Sequence, residues 1–576
     1  MFHGVNLSHV PRMALSGLFL VASSCAVGPD YVPPDPQLPD QWHQPAAPSA
    51  AQVQEWWRVF GDQNLSELIE QAAAGNLDLR LAVLRIREAR ALRGVAAGEL
   101  LPSLGGQGAY QRSKGSANGP LAFPQAPGKA ETFANTVGRG VAGSALGAGL
   151  AAAAPGASVV TGPLASGVVG LIPSPSGAPD TDEINLHSAG FDASWEIDVF
   201  GGIRRNIEAA DAELAAAVED YRTVLVSLLA EVAATYIDVR SLQSQIEATR
   251  QNIQLQQQAL ALTRARFDAQ LEPELDIRQA ETNLATTESQ LPLLETALTT
   301  AIYRLSVLTG RTPAALYDEL SVAQPIPEPP AEALVGVPAE IVRRRPDIRA
   351  AERRLAAQTA RVGVATADLY PRFSLAGTFG FEATDANHLF NGRSISYGFG
   401  PGFAWSILEG LRNLNRIAAQ QAATHQAYVL YERTLLQALQ DVESSSVAFT
   451  REQVRRAALV RATEAGRRSA HLAETLYQDG LTDFQNVLDA QRTLAALEIS
   501  LAQSRGQVAI HLVALYKALG GGWSPQVMPQ RQFLEDPDDV LADPLEFYFS
   551  GGKGTPSWVT PAADTTRTAA GPIHVE

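Results

Sequence analysis

Apolar residues along this chain recur with two periods. Between residues 203 and 268, Leu214, Val218, Tyr221, Leu225, Leu228, Val232, Thr235, Val239, Leu242, Ile246, Thr249, Ile253, Gln256 and Leu260 alternate at spacings of four and three, with no proline among them. A mean period of about 3.5 residues is a coiled-coil seam, here with a few polar positions. Some 65 helical residues at 1.5 Å rise make a rod of about 100 Å. The pattern breaks near 268–274 and a return helix reaches Gly310. A second hairpin runs out through 409–478, turns near 478–483 and returns to Gly520. The other period is two. Ile395, Tyr397, Phe399, Phe403, Trp405 and Ile407 are apolar in alternation, and Phe191, Ala193, Trp195, Ile197 and Val199 alternate with Asp192, Ser194, Glu196 and Asp198. Such segments are strands with one apolar face and one polar face. Four are expected, at about 100–112, 184–199, 371–382 and 394–407, with helical stretches over 62–99 and 338–368 opening the two halves.

The halves are copies of one another. NLDLR at 76–80 matches RPDIR at 345–349, and ELLPSL at 99–104 matches DLYPRF at 368–373, both at an offset of 269. Further on the offset is 210, pairing Trp195 with Trp405, Tyr221 with Tyr431, Phe267 with Tyr477 and Gly310 with Gly520. The fall from 269 to 210 assigns 59 extra residues to the first half, in the Gly/Ala/Pro-rich stretch near 115–180. Each structural element is therefore expected twice per chain. Four strands cannot close a barrel, and a bilayer accepts sheets only when closed, the smallest barrels having eight strands. Three copies would supply twelve strands above a continuous helical tube, the acidic strand face lining a wet lumen and the aromatic face meeting lipid.

Residues 1–24 have the form of an export signal: Arg12 precedes the apolar run MALSGLFLVASS, which is too short to span a bilayer. Cys25 follows at once and is the single cysteine of the chain. In that place it is a candidate for lipid attachment, the alternative being an ordinary signal peptide with an incidental thiol. Residues 26–50 are rich in proline and read as an extended tether.

Taken together, CAVGPDYVPP after the signal, the NLDLR and RPDIR pair, SWEIDVFGGIRRNIEAA after the second strand and YQDGLTDFQNVLDAQRTL in the last hairpin resemble the outer-membrane efflux proteins over about 25–523. The resemblance is to the TolC/OprM-like family and its lipoprotein branch, the NodT-like members of RND-type tripartite systems. It implies an α+β membrane protein: a homotrimer with a 12-stranded β-barrel in the outer membrane, continuous with a periplasmic 12-helix α-barrel. It also implies a periplasmic adaptor protein and an inner-membrane RND-type pump as partners, with palmitate or a similar lipid on Cys25. The domains on this reading are the signal 1–24, the anchored segment 25–60, repeats 61–310 and 338–520 with an extracellular loop at 115–180, and an equatorial or disordered tail 521–576. By the same resemblance Gly480, Leu481 and Thr482 form an adaptor-docking tip, with Gln270, Leu271 and Glu272 at the matching positions of the first hairpin. Gln270 departs from the family's glycine, and Pro273 is placed to stop the helix there. Asp489 and Asn486 match acidic constriction-ring positions, Arg492 stands one turn beyond Asp489, and Asp276 is the acid of the other hairpin. Three carboxylates converging on an axis attract cations and repel one another unless bridged. Without the resemblance, Asp489 and Arg492 read as an ordinary i,i+3 helix pair.

Composition narrows the function further. The 61 acidic residues outnumber the 45 basic ones, for a net charge of −16, which argues against wrapping nucleic acid, a task that needs a basic face. The nine histidines make no HExxH pair, and a single cysteine excludes a Cys-based zinc cluster. GRGVAG at 138–143 fits a dinucleotide fingerprint but lies in the insertion, with no helix pattern after it. No cofactor, metal or enzymatic activity is expected. The reading is a passive exit duct for small amphiphilic compounds, of the kind that underlies multidrug resistance. The alternatives are a duct for an ABC-driven protein secretion system and a non-conducting coiled-coil scaffold.

Overall fold

The computed structural model of the chain describes residues 26–35, 38–39, 42, 54–114, 183–329 and 344–523. The signal 1–24, Cys25, the 115–180 insertion and the tail beyond 523 lie outside the described residues. The chain divides into two compact units, one built from residues up to Val32, Ala91–Glu213 and Leu355–Ala427, the other from Pro33–Arg90, Leu214–Arg354 and the residues from Tyr428 on. The elements are α1 (Gln63–Gly75), α2 (Leu77–Gly98), β1 (Ser103–Ser113), β2 (Ile184–Ile197), α3 (Gly202–Asp268), α4 (Glu274–Leu308), α5 (Pro346–Ala367), β3 (Arg372–Ala383), β4 (Ile395–Ala404), α6 (Gly410–Gln478) and α7 (Phe484–Ala518). No helix among the described residues is long and apolar enough to cross a membrane.

The first unit holds one antiparallel sheet in the order β1-β2-β3-β4. The hairpin of one half pairs with the hairpin of the other through β2 and β3, so the duplication is joined side by side. Register puts Leu104, Ala193, Gly377 and Phe399 in one cross-strand row and Gly106, Phe191, Phe379 and Tyr397 in a second. The intervening row is Gly105, Asp192, Thr378 and Gly398. Because side chains alternate faces along a strand, aromatics gather on one face and small or polar residues on the other. Phe191, Phe379, Tyr397 and Phe399 are all at least half exposed in the single chain.

The second unit carries the main core. Trp56 stacks on Tyr516 with centroids 5.6 Å apart, and Leu65, Leu68, Ile69, Val232, Ile237, Ile302, Leu305 and Leu512 pack around them, all buried. The middle of α3 is buried beyond the 4-3 seam. Tyr236, Ile237, Arg240 and Gln243 lie off that seam and are buried too. The cause is tertiary: the Tyr236 hydroxyl donates to Asp62 at 2.8 Å, Arg240 donates to Val322 O at 3.0 Å, and Gln243 donates to Leu320 O at 2.6 Å. Asp62 is also the α1 cap, accepting from Leu65 N at 3.0 Å.

The expected single stretch over 62–99 is two helices, broken at Asn76. Its side-chain oxygen accepts from Asp78 N at 2.8 Å and Leu79 N at 3.1 Å, starting α2 afresh, and its amide donates to Leu308 O at 2.9 Å. The matching residue of the second half, at the offset of 269, is Arg345. It donates to Ala518 O at 3.0 Å, and Ala518 is the counterpart of Leu308 at the offset of 210. Two different side chains thus tie the same carbonyl, one of those a helix end leaves unpaired. Both return helices then end alike. Gly310 (φ 75°) and Gly520 (φ 70°) are left-handed, with Arg311 N donating to Ser306 O and Gly521 N to Tyr516 O, each at 2.9 Å. This is the Schellman arrangement, in which a left-handed residue lets the next N–H reach back five residues.

Asn76→Ala removes the α2 cap and the Leu308 tie together, and the expected loss is about 1–2 kcal/mol. Thermal unfolding of the purified protein is expected to show a lowered midpoint, with Asn76→Asp, which keeps the cap and loses the tie, falling between the two. Equal midpoints for all three proteins would contradict this account.

Candidate functional site

Two regions carry candidate chemistry, each within its own unit. The first is the pair of hairpin turns in the second unit. α3 ends with Gln270 N donating to Phe267 O at 2.7 Å and Leu271 N to Arg266 O at 2.9 Å. α6 ends with Gly480 N donating to Tyr477 O at 3.0 Å and Leu481 N to Leu476 O at 2.8 Å. Gly480 has φ 74° and Gln270 has φ 60°, so the departure from glycine leaves the Schellman turn intact. Gln270 is the one non-glycine residue of positive φ among the described residues. A side chain there costs about 1–2 kcal/mol against glycine. Leu271 and Leu481 then stand at equivalent positions with most of their surface exposed, at 65% and 73%. Pro273 and Asp483 sit at the N-caps of α4 and α7 and make no side-chain cap bond.

A small apolar cluster holds the two turns together: Leu260, Ile277, Ala280, Tyr477, Phe484, Val487 and Leu488, with the Tyr477 and Phe484 rings 5.3 Å apart. Arg266 closes it from above. Its guanidinium donates to Tyr477 O at 2.9 Å and Gln478 O at 3.1 Å, lies 4.7 Å over the Tyr477 ring, and pairs with Glu272 at 3.2 Å. It therefore satisfies the terminal carbonyls of α6 from the last turn of α3, where the helix dipole also favours a cation. Sequence reading missed Arg266. A basic residue in a last helical turn was the available signal, but the carbonyls it binds are more than 200 residues away in the chain.

The remaining expected gate residues are distributed differently from the simple pairing. Among the described residues Arg492 makes no ion pair with Asp489. Its Nε donates to Asn283 of α4 at 2.8 Å, so it ties the two return helices to each other. Asp489 instead accepts from Gln485 at 3.1 Å, one turn back on its own helix, an i,i+4 contact. Asn486 donates to Thr482 at 2.7 Å. Asp276 lies across the cluster. Burial, then a hydrogen bond with Glu272, then the charges of Glu272 and Asp483 push its carboxyl above the usual carboxylate range.

The second region is the sheet. Trp195 Nε1 donates to Leu100 O at 2.8 Å, and Trp405 Nε1 donates to Leu369 O at 3.0 Å. The tryptophans are related by the 210 offset and the carbonyls by the 269 offset. Phe200 stacks on Tyr370 at 4.6 Å beside them in the same unit. Half-exposed tryptophans with an apolar ring and a hydrogen-bonded N–H, beside a half-exposed tyrosine, suit the boundary between lipid and water.

Residues 68–311 and 337–521 match the family described as outer membrane efflux protein. The chain belongs to that family. It is 27% identical over 508 residues to Nodulation protein T of Rhizobium leguminosarum bv. trifolii, across 88% of this chain and 96% of that one. It is 30% identical over 492 residues to the pyoverdine export outer membrane protein OpmQ of Pseudomonas putida, across 84% and 92%. The solved outer-membrane channel OprN superposes with a TM-score of 0.71 at 32% identity, covering 87% of this chain and all of the other. The outer membrane efflux proteins are channels rather than enzymes, and this member is an efflux duct of the outer membrane.

Gln270→Gly is expected to stabilise this efflux protein by about 1 kcal/mol and Gly480→Gln to destabilise it by a similar amount. Opposite shifts in thermal midpoint are the check. For Asp276 the folded carboxyl binds its proton more tightly than the unfolded one. The stability it lends is thus complete below about pH 4 and is lost as pH rises through the raised value. Asp276→Asn should therefore gain midpoint over the natural protein as pH rises from about 4 to 7. A constant difference across that range would contradict the assignment.

Proposed function

We propose that this chain is the exit duct of a tripartite efflux pump. In this reading it is a homotrimer that passively conducts small amphiphilic compounds from an RND-type pump and its periplasmic adaptor to the outside, anchored by lipid on Cys25. The observation that carries the proposal is the open four-stranded sheet with an aromatic face. β1 and β4 are its free edges, and unpaired edge N–H and C=O groups are not tolerated in hydrocarbon. Copies of the chain joining β4 to β1 remove both edges, and three copies give twelve strands. Phe191, Phe379, Tyr397 and Phe399 then meet lipid, while Asp192, Ser194, Thr378 and Ser396 line a hydrated lumen.

The hairpin turns are the part of the duct that meets the adaptor. Exposed Leu271 and Leu481, with Gln270, Glu272, Gly480 and Thr482, form a repeated surface for the adaptor. Asp489 and Asn486 face the axis, so three Asp489 carboxylates form a ring that attracts cations and resists closing unless neutralised. Arg492 acts on this gate indirectly, through Asn283: the return helices move as a pair, and opening means displacing both together. Arg266 and the apolar cluster hold the two turns together.

Accumulation of an amphiphilic fluorescent dye in cells tests the function. Deletion is expected to raise accumulation severalfold, the natural chain to reverse this, and Gly480→Trp to fail because of its strained turn and obstructed docking surface. Unchanged accumulation across several dyes, with altered secreted proteins, would favour the protein-export alternative. In planar bilayers Asp489→Ala is expected to lower cation selectivity; unaltered selectivity would remove Asp489 from the constriction.

A further inference from the structure

The segment from Ala26 to Tyr31 lies in the first unit, in a groove floored by glycine. Gly201 (φ 79°) faces Ala26, whose Cα would stand 2.7 Å from a Cβ built there. Gly28 (φ 94°) abuts Gly363 of α5, and a Cβ on Gly28 would strike that backbone. Gly363 in turn leaves room for Arg205, whose Cδ would lie 2.9 Å from a Cβ at that position. Val27 N donates to Phe200 O at 3.1 Å, which fixes the segment along the chain that links β2 to α3.

Arg205 fastens this arrangement. Its side chain is 6% exposed. Nε donates to Val27 O at 3.2 Å, and Nη2 donates to Gly28 O at 3.4 Å and to the Asp30 carboxylate at 2.6 Å. Nη1 pairs with Glu208 at 2.7 Å. Three of these four bonds end on the segment. If the segment left, the guanidinium would lose three of its four partners and keep Glu208 alone. The first N–H groups of α3 are occupied separately, Ile203 N and Arg204 N donating to Asp198 at 3.2 and 2.9 Å. The groove is therefore built for this peptide rather than for a free anion. It lies beside the aromatic cluster of Phe200, Tyr370 and Phe373.

We propose that this groove is the seat of the processed N-terminus, with Arg205 as its positioning residue, and that it sets the depth at which the lipid anchor enters the membrane relative to the sheet. The proposal rests on lipid attachment at Cys25. One peptide step, about 3.8 Å between Cα atoms, separates that residue from the seated Ala26. A lipid there is tethered close to the aromatic cluster, which ties the level of the anchor to that of the strands.

The test uses the full chain purified from outer membranes, with Arg205→Met, Arg205→Lys and Asp30→Asn. Amide exchange is read over residues 26–31, with the sheet as internal reference. Arg205→Met is expected to raise exchange of the segment about tenfold without changing the sheet. Arg205→Lys should recover part of the protection, and Asp30→Asn should lose a smaller part. The yield of cross-linked trimer in the outer membrane should fall severalfold with Arg205→Met. Unchanged exchange of 26–31 overturns the seat. Faster exchange with undiminished trimer overturns its role in insertion. If Arg205→Met also loosens the sheet, Asp30→Asn decides the matter. Palmitate incorporation by the natural chain is measured separately: its absence overturns lipid attachment, while the exchange data still judge the seat.

Discussion

An antiparallel sheet with two free edges is incomplete, and the rest of this protein follows from that condition. Each edge carries a row of backbone donors and acceptors that hydrocarbon cannot satisfy. In the proposed duct closure comes from further copies of the same chain, because β1 and β4 are the outermost strands and the order is simple. The alternation of aromatic and small residues is consistent with that demand. The row led by Gly106 holds three aromatics and that led by Leu104 holds Phe399, and the row between them is glycine, aspartate and threonine. Gly190 and Gly380 face one another so closely that a Cβ on Gly190 would stand 2.9 Å from the Gly380 Cα.

Duplication has preserved positions more faithfully than residues. Asn76 and Arg345 share no chemistry beyond an N–H donor, yet each ties the last carbonyl of a return helix. Gln270 and Gly480 adopt the same left-handed turn although only one is suited to it. The two tryptophans, like Gly310 and Gly520, keep both residue and role. What selection retained in each instance is the satisfaction of a backbone group that would otherwise lack a partner.

Arginine serves this purpose repeatedly. Arg266 closes the end of α6, Arg345 the end of α7, Arg240 the carbonyl of Val322, and Arg205 the carbonyls of Val27 and Gly28. A planar group with five donors and a permanent charge can bind two or three oxygens at once, which lysine cannot do in a fixed geometry. These contacts fasten segments far apart in the chain. They help explain how a protein of long helices, with its principal core concentrated in one unit, gains definition at its turns.

The period of the apolar residues determined the hairpins and strands, because side-chain direction follows directly from helix and strand geometry. The two offsets determined that every element would recur, and glycines at Gly310, Gly480 and Gly520 marked where helices end. The break at Asn76 was hidden because an asparagine cap looks like any polar residue within a helical pattern. The burial of Tyr236, Arg240 and Gln243 was hidden because it depends on Asp62, Leu320 and Val322, which approach from elsewhere in the chain. Helical spacing and the resemblance together suggested Arg492 as a partner for Asp489, whereas in the single chain Arg492 donates to Asn283 of α4. Local periodicity is written residue by residue. The partner of a long polar side chain is decided only when distant elements meet.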